Sequence, residues 1–279
     1  MNNQTSTRTK GGGGVTQLTG AGLVVGYGDR VVIEGVDVSI PAGSFTVIVG
    51  PNACGKSTLL KALARLIPVS SGQVTLDGKA IHELPSKELA RRLGLLPQSS
   101  LAPDGITVQD LVSRGRFPHQ SLLSRWSRED ERVVAEAMAA TGVTDLRNRL
   151  LDELSGGQRQ RVWVSMVLAQ ETPMLLLDEP TTFLDIAHQV ELLDLIERLR
   201  GEGKTVVAVL HEINLAARYA SHLIAMRDGR IVAEGRPSEV VTEELVGRVF
   251  DLPCRVIPDP DTGTPVVLPR RRPVPADVR

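Results

Sequence analysis

The residues Gly50, Pro51, Asn52, Ala53, Cys54, Gly55, Lys56, Ser57 and Thr58 fit the spacing G-x-x-x-x-G-K-[ST] of a loop that cradles phosphate. A short apolar run, Phe45 to Val49, precedes them, and Leu59, Leu60, Leu63 and Leu66 follow at helical spacing. Strand, loop and helix in that order aim backbone N–H groups and a helix N-terminus at one point, which favours an anion before any side chain is counted. Lys56 adds a full positive charge and the Ser57 hydroxyl a ligand for Mg²⁺, while Gly50 and Gly55 let the backbone come close.

Three more places carry chemistry. Met174 to Leu177 is an apolar run ending in Asp178, Glu179 and Pro180. Such a strand must be buried on both faces, so its first polar residues emerge at the C-terminal edge of a sheet, where ligands gather. Asp178 is placed there to hold Mg²⁺ through water, and Glu179 to act as a general base one residue further on. Lys204 to Leu210 is a second buried strand and delivers His211 to the same edge. Leu154, Ser155, Gly156, Gly157 and Gln158 open an apolar helix, expected from Arg161 to Ala169, and make a second anion-binding terminus. A single phosphate loop seldom needs two.

The remaining elements must hold these groups in place. Leu18–Val25 and Val31–Ile40 read as strands around a turn that contains Tyr27, and Gln73–Leu76 as another. Ser86–Arg92 is a short helix and Leu93–Leu96 a strand ending at Gln98. From Ile106 to Leu154 strand signals stop, and the best helix runs from an N-cap at Ser127, with Asp130 in its first turn, to Gly142. Arg114 to Trp126 is basic and interleaved with aromatics, which suits a solvated face or a partner contact. A helix starting near Val190 stops at Gly201, Asp228-Gly229 marks a hairpin, and Ser238 is expected to cap a helix to Phe250. Cys254–Ile257 and Pro265–Leu268 are spaced to pair. Residues 1–14, rich in Asn, Thr and Gly, read as a disordered tail, and 270–279 as a loose one.

Composition sets the outer bounds. The 279 residues are 42% hydrophobic, ample for a packed core. Lys and Arg number 32 against 33 acids, a formal charge of -1, so no global field points to nucleic acid. Cys54 and Cys254 have no spacing that suggests a disulfide or a zinc site. Cys54, at a helix start where thiol pKa values fall, is an oxidation candidate, though a small loop residue is the simpler reading. No run approaches the roughly 18 apolar residues of a membrane span, so a membrane role would be peripheral.

In conjunction and in this order, the Gly50–Thr58 loop, Gln98, Leu154–Gln158, Leu175–Pro180, Asp185 and His211 resemble the ATP-binding subunit of an ABC transporter over residues 15–269. Arg114–Trp126, Pro180–Gln189 and Leu215–Ala220 resemble more narrowly the ATPases of iron-siderophore importers, relatives of the vitamin B12 and haem importers. The resemblance implies an α/β P-loop NTPase core with an antiparallel β subdomain and an α-helical subdomain inserted at about 100–160. It implies a head-to-tail dimer at the cytoplasmic face of a membrane, a membrane permease as partner and, indirectly, an external substrate-binding protein. Each ATP, with Mg²⁺, would lie between the loop of one copy and Ser155, Gly156, Gly157 and Gln158 of the other. Tyr27 would stack on adenine, Gln98 touch Mg²⁺ or the attacking water, and His211 hold the γ-phosphate. Asp185 would reach across the dimer.

Two residues depart from the family pattern: Ala53, where many relatives have glycine, so that a positive φ would be strained, and Phe183, where a small residue is frequent. Two other functions share part of the motif set. A soluble ABC-type ATPase acting on DNA or ribosomes usually carries a coiled-coil insertion or two cassettes, and a phosphotransferase has no use for Leu154–Gln158.

Overall fold

The computed structural model describes residues 16–98, 102–120 and 126–271. The N-terminal tail, Arg125 and residues 272–279 lie outside these.

Three strands, apolar except for Thr46, Asp178 and Thr205, which are buried as well, form the centre. β3 (Phe45–Val49), β7 (Met174–Asp178) and β8 (Thr205–Val209) are buried at every position. They belong to a six-stranded sheet completed by β6 (Leu93–Leu96), β9 (His222–Arg227) and β10 (Arg230–Gly235), in the order β10-β9-β3-β8-β7-β6. All neighbours are parallel except the β9–β10 hairpin, which turns at Asp228-Gly229. Alternate side chains of the same strands enter two different cores, as period-two geometry requires. Val47, Leu175, Leu177, Val206 and Ala208 face one; Ile48, Leu176, Val207 and Val209 face the other.

The second core is closed by α1 (Lys56–Leu63) and by an antiparallel sheet. Its strands are β1 (Leu18–Tyr27), β2 (Arg30–Ile40), β4 (Ser71–Leu76) and the two-residue β5 (Lys79–Ala80), ordered β2-β1-β4-β5. The first core is covered by helices. Between β6, which follows α2 (Ser86–Arg92), and β7 the chain forms α3 (Val108–Ser113), a 3₁₀ turn over Arg114–His119, α4 (Arg128–Ala140) and α5 (Gly156–Ala169). α4 starts at the expected cap: the Ser127 hydroxyl accepts from the Asp130 N–H, and Asp130 reaches back to the Ser127 N–H.

α6 (Ile186–Gly201) and α7 (Ile213–Tyr219) follow β7 and β8, and α8 (Pro237–Val240) and α9 (Glu243–Phe250) follow β10. β11 (Cys254–Pro258) and β12 (Pro265–Pro269) pair as expected, antiparallel, from Cys254 with Pro269 to Pro258 with Pro265.

Several expectations need correction. The helix assigned to Ser238–Phe250 is two helices: Ser238 lies inside α8, the chain turns at Val241, and Thr242 caps α9 by accepting from the Leu245 N–H. α5 begins five residues before Arg161 because Ser155 caps it, and α6 begins at Ile186 because Asp185 does. The basic segment is not a uniformly open face. Arg116 is buried, donating to Asp130 at 2.9 Å, Glu171 at 2.6 Å and the Ala169 carbonyl at 2.9 Å, whereas Phe117 is exposed. Arg270 is tied down at the start of its tail, its N–H donating to the Pro253 carbonyl at 2.8 Å.

Candidate functional site

Sheet register explains why distant parts of the sequence meet. Ile48 pairs with Val209, and Val209 with Asp178, so β3, β7 and β8 end level with one another. The Gly50 loop, Glu179 and His211 therefore leave the sheet at one edge.

The loop takes its shape from residues that tolerate it. A Cβ at Gly50 would stand 2.2 Å from the Met226 carbonyl oxygen, and one at Gly55 (φ 108°) would stand 2.7 Å from the Ile33 side chain. Ala53 does adopt a positive φ, 61°, the strained state its side chain was expected to incur. Lys56 is buried, and its ammonium donates to the Gly50 carbonyl at 2.9 Å and the Pro51 carbonyl at 2.8 Å. Two neutral carbonyls orient that charge without cancelling it. Burial pushes the Cys54 thiol up, against the opposing Lys56 charge, so the loop-residue reading holds and the reactive one does not.

The acids behave differently from one another although they are adjacent. Asp178 is fully buried, and its Oδ1 accepts from the Ser57 hydroxyl at 2.6 Å. Its Oδ2 is buried without a hydrogen bond, with Lys61 Nζ at 3.9 Å. Burial raises its pKa in spite of Ser57 and Lys61. A buried carboxylate oxygen with no donor fits a hard divalent cation, and Ser57 Oγ beside it offers a second oxygen. These two residues fit Mg²⁺. Among the described residues no cluster of three or more His, Cys, Asp or Glu could hold a metal ion.

Glu179 gathers donors on one oxygen. Its Oε2 lies 2.8 Å from His211 Nε2 and accepts from Gln98 Nε2 at 2.9 Å and Thr182 Oγ1 at 3.4 Å. Burial alone would raise its pKa. The His211 bond and charge, with Gln98 and Lys56, outweigh that and hold the carboxyl below the ordinary glutamate value. Its φ of 54° is left-handed, a conformation that costs energy at a non-glycine residue and clusters at functional sites.

One open cleft of about 650 Å³ is lined by Tyr27, Asn52, Ala53, Gly55, Lys56, Ser57, Thr58, Gln98, Glu179 and His211. Arg30 and Val32 line it as well, a contribution the sequence reading missed; they sit on the strand after the Tyr27 turn. Thr182 was also missed, although its place three residues after Glu179 was a signal. Tyr27 is half exposed at the mouth.

Ser155, Gly156, Gly157, Gln158 and Asp185 do not line this cleft. Ser155 and Gln158 satisfy each other in a capping box, the Gln158 N–H donating to Ser155 Oγ at 3.3 Å and the Ser155 N–H to Gln158 Oε1 at 3.1 Å. Asp185 caps α6, accepting from the His188 N–H at 2.9 Å. Beside Gly156 and Gly157 lies Phe183, with φ 68° and its ring exposed. Gln160 donates to the Pro180 carbonyl at 3.1 Å, linking α5 to the residue after Glu179.

Comparison with known proteins agrees with this geometry. The ABC transporter family model matches residues 33–182. The ferric enterobactin transport ATP-binding protein of Escherichia coli (strain K12) is 56% identical, over 94% of this chain and 97% of that protein. The iron(3+)-hydroxamate import ATP-binding protein of Bacillus subtilis (strain 168) is 48% identical over 88% of this chain and 92% of that protein. A dimeric structure of a bacterial ABC transporter cassette superposes with a TM-score of 0.72 at 28% identity, covering 78% of this chain and 98% of that one. The chain belongs to the ABC transporter family, as one of its ATP-binding subunits, which hydrolyse ATP to power transport.

Proposed function

We propose that this protein energises the import of an iron-siderophore complex through a membrane permease, and that it does so as a head-to-tail dimer at the cytoplasmic face of the membrane. Two features support the assembly: the family membership, and an α5 N-terminus whose residues do not line the chain's own cleft. No helix among the described residues is long and apolar enough to cross a membrane, and in this reading the permease supplies the path for the substrate. The relatives named for ferric enterobactin and iron(3+)-hydroxamate transport support the substrate class. An external binding protein would deliver that substrate to the permease.

The observation that carries the ATPase reading is the single Glu179 oxygen shared by His211 and Gln98 beside the phosphate loop. Backbone N–H groups of Asn52–Thr58 and the Lys56 ammonium would hold the β- and γ-phosphates of ATP, and Tyr27 at the cleft mouth would stack on adenine. Ser57 and Asp178 would hold Mg²⁺, which when bound offsets charge on the phosphates. Glu179, anionic at neutral pH, would polarise a water positioned by Gln98 for in-line attack on the γ-phosphorus. His211 would hand its hydrogen bond from Glu179 to the γ-phosphate. Ser155, Gly156, Gly157 and Gln158 of a second copy would close over that phosphate, and Asp185 would contact the dimer partner, so hydrolysis would be tied to dimer opening.

The test is radiolabelled iron uptake in iron-starved cells lacking this gene. Complementation by the wild-type gene restores uptake of a catecholate or hydroxamate complex, and Glu179→Gln does not. Restored uptake of haem or vitamin B12 in place of both siderophores would contradict the substrate assignment.

A further inference from the structure

The His211 side chain is 43% exposed, so packing around it fixes its direction only in part. Its backbone is fixed from two sides. On one, the Leu210 N–H donates to the Ile48 carbonyl at 3.2 Å and continues the sheet. On the other, three residues later, the chain is already in α7. That helix has seven residues and no side-chain cap at Glu212. A helix so short has little stability of its own and lies where its contacts put it. Its fully buried residues are Ala216 and Ala217, and Ile213, Leu215 and Tyr219 pack partly buried against the helical core.

A directional tie, which apolar packing does not supply, comes from the C-terminal hairpin. Asn214 pairs with Val267 of β12 as a strand neighbour would: the Val267 N–H donates to Asn214 Oδ1 at 2.8 Å, and Asn214 Nδ2 donates to the Val267 carbonyl at 3.2 Å. Four residues along α7, Arg218 meets Asp259 at 3.5 Å, and Asp259 in turn accepts from the Asp261 and Thr262 N–H groups of the hairpin turn. The hairpin is itself anchored, because Val267 and Cys254 are buried in the helical core.

We infer that Asn214 is a positioning residue for hydrolysis: by pairing with Val267 it ties the C-terminal hairpin to the start of α7 and so holds the backbone from which His211 reaches Glu179. This rests on the proposed role of His211. Only a primary amide offers one donor and one acceptor at the spacing of a peptide group, so neither Ala nor Asp can replace both bonds.

Hydrolysis by the purified full chain is measured for Asn214→Ala, Asn214→Asp, His211→Ala and the double variant Asn214→Ala with His211→Ala. Both Asn214 variants lower kcat roughly tenfold with little change in KM for ATP, within the up to about hundredfold loss that a distant change can cause by misplacing a catalytic group. In the His211→Ala background, Asn214→Ala lowers kcat no further. The imidazole carbon signal of His211 shifts or broadens in Asn214→Ala, while those of His82, His119 and His188 stay in place. An equal loss in both backgrounds, an unchanged kcat, or an unmoved His211 signal would overturn the inference. Full hydrolysis by His211→Ala would instead overturn the reading of the site itself, and the His211 signal still tells the two failures apart.

Discussion

Two helices of this chain begin in glycine and serine, and they are prepared differently. α1 starts at Gly55 with no side-chain cap, inside a cleft that also holds Lys56, Glu179 and His211. Its start is left for a ligand, with a buried cation, a buried acid and a carboxylate base around it. α5 starts at Ser155 with a complete capping box and stands outside that cleft, its glycines against the exposed ring of Phe183. The first is enclosed and electrostatically set within one molecule. The second is a capped rim outside the cleft, which we propose meets the nucleotide of a partner copy.

Substitution at each place separates the two. The largest effect belongs to the cleft. Glu179→Gln keeps the shape and removes the base, so hydrolysis measured by phosphate release falls by about a thousandfold, within the range of lost base catalysis, while ATP affinity is retained. An unchanged rate would break the assignment of the base. Next comes the rim. Ser155→Arg leaves the affinity of a dilute chain for ATP within about twofold but lowers hydrolysis by about a hundredfold, comparable to losing one oxyanion donor. Weakened binding of ATP by the isolated chain would place Ser155 in its own cleft and erase the distinction.

A smaller effect sharpens the electrostatics of the cleft. Glu179 titrates below the ordinary glutamate value of about 4.3, so its pairing contributes stability that is full above that pH and is lost as pH falls through the lower folded value. Removing His211 leaves burial less opposed. In His211→Ala the Glu179 carboxyl carbon, followed by NMR against pH, therefore titrates higher than in the wild type. A titration at the same place in both proteins would show that His211 does not set the charge of Glu179.

Much of the cleft was legible in the sequence because it follows from local pattern. Met174–Leu177 has no residue that tolerates water before Asp178, so burial on both faces and a functional edge were fixed by residue type. His211 was found by the same logic. What escaped depends on contacts between segments far apart in the chain. Nothing beside Arg116 in sequence shows that it turns inward to Asp130, Glu171 and the Ala169 carbonyl, and its neighbours suggested an open basic face instead. The pairing of Asn214 with Val267 spans 53 positions and has no local signature. The break between α8 and α9 escaped for another reason: Ser238 and Thr242 are both capping residues, and only the turn at Val241 decides between them.

The most direct test uses Glu179→Gln, which holds ATP without turning it over. Sedimentation velocity should show this chain as a monomer without nucleotide and as a dimer with ATP and Mg²⁺, and adding Ser155→Arg should return it to a monomer that still binds ATP. A monomer in saturating ATP, or a dimer indifferent to Ser155→Arg, would contradict a pocket completed by the second copy.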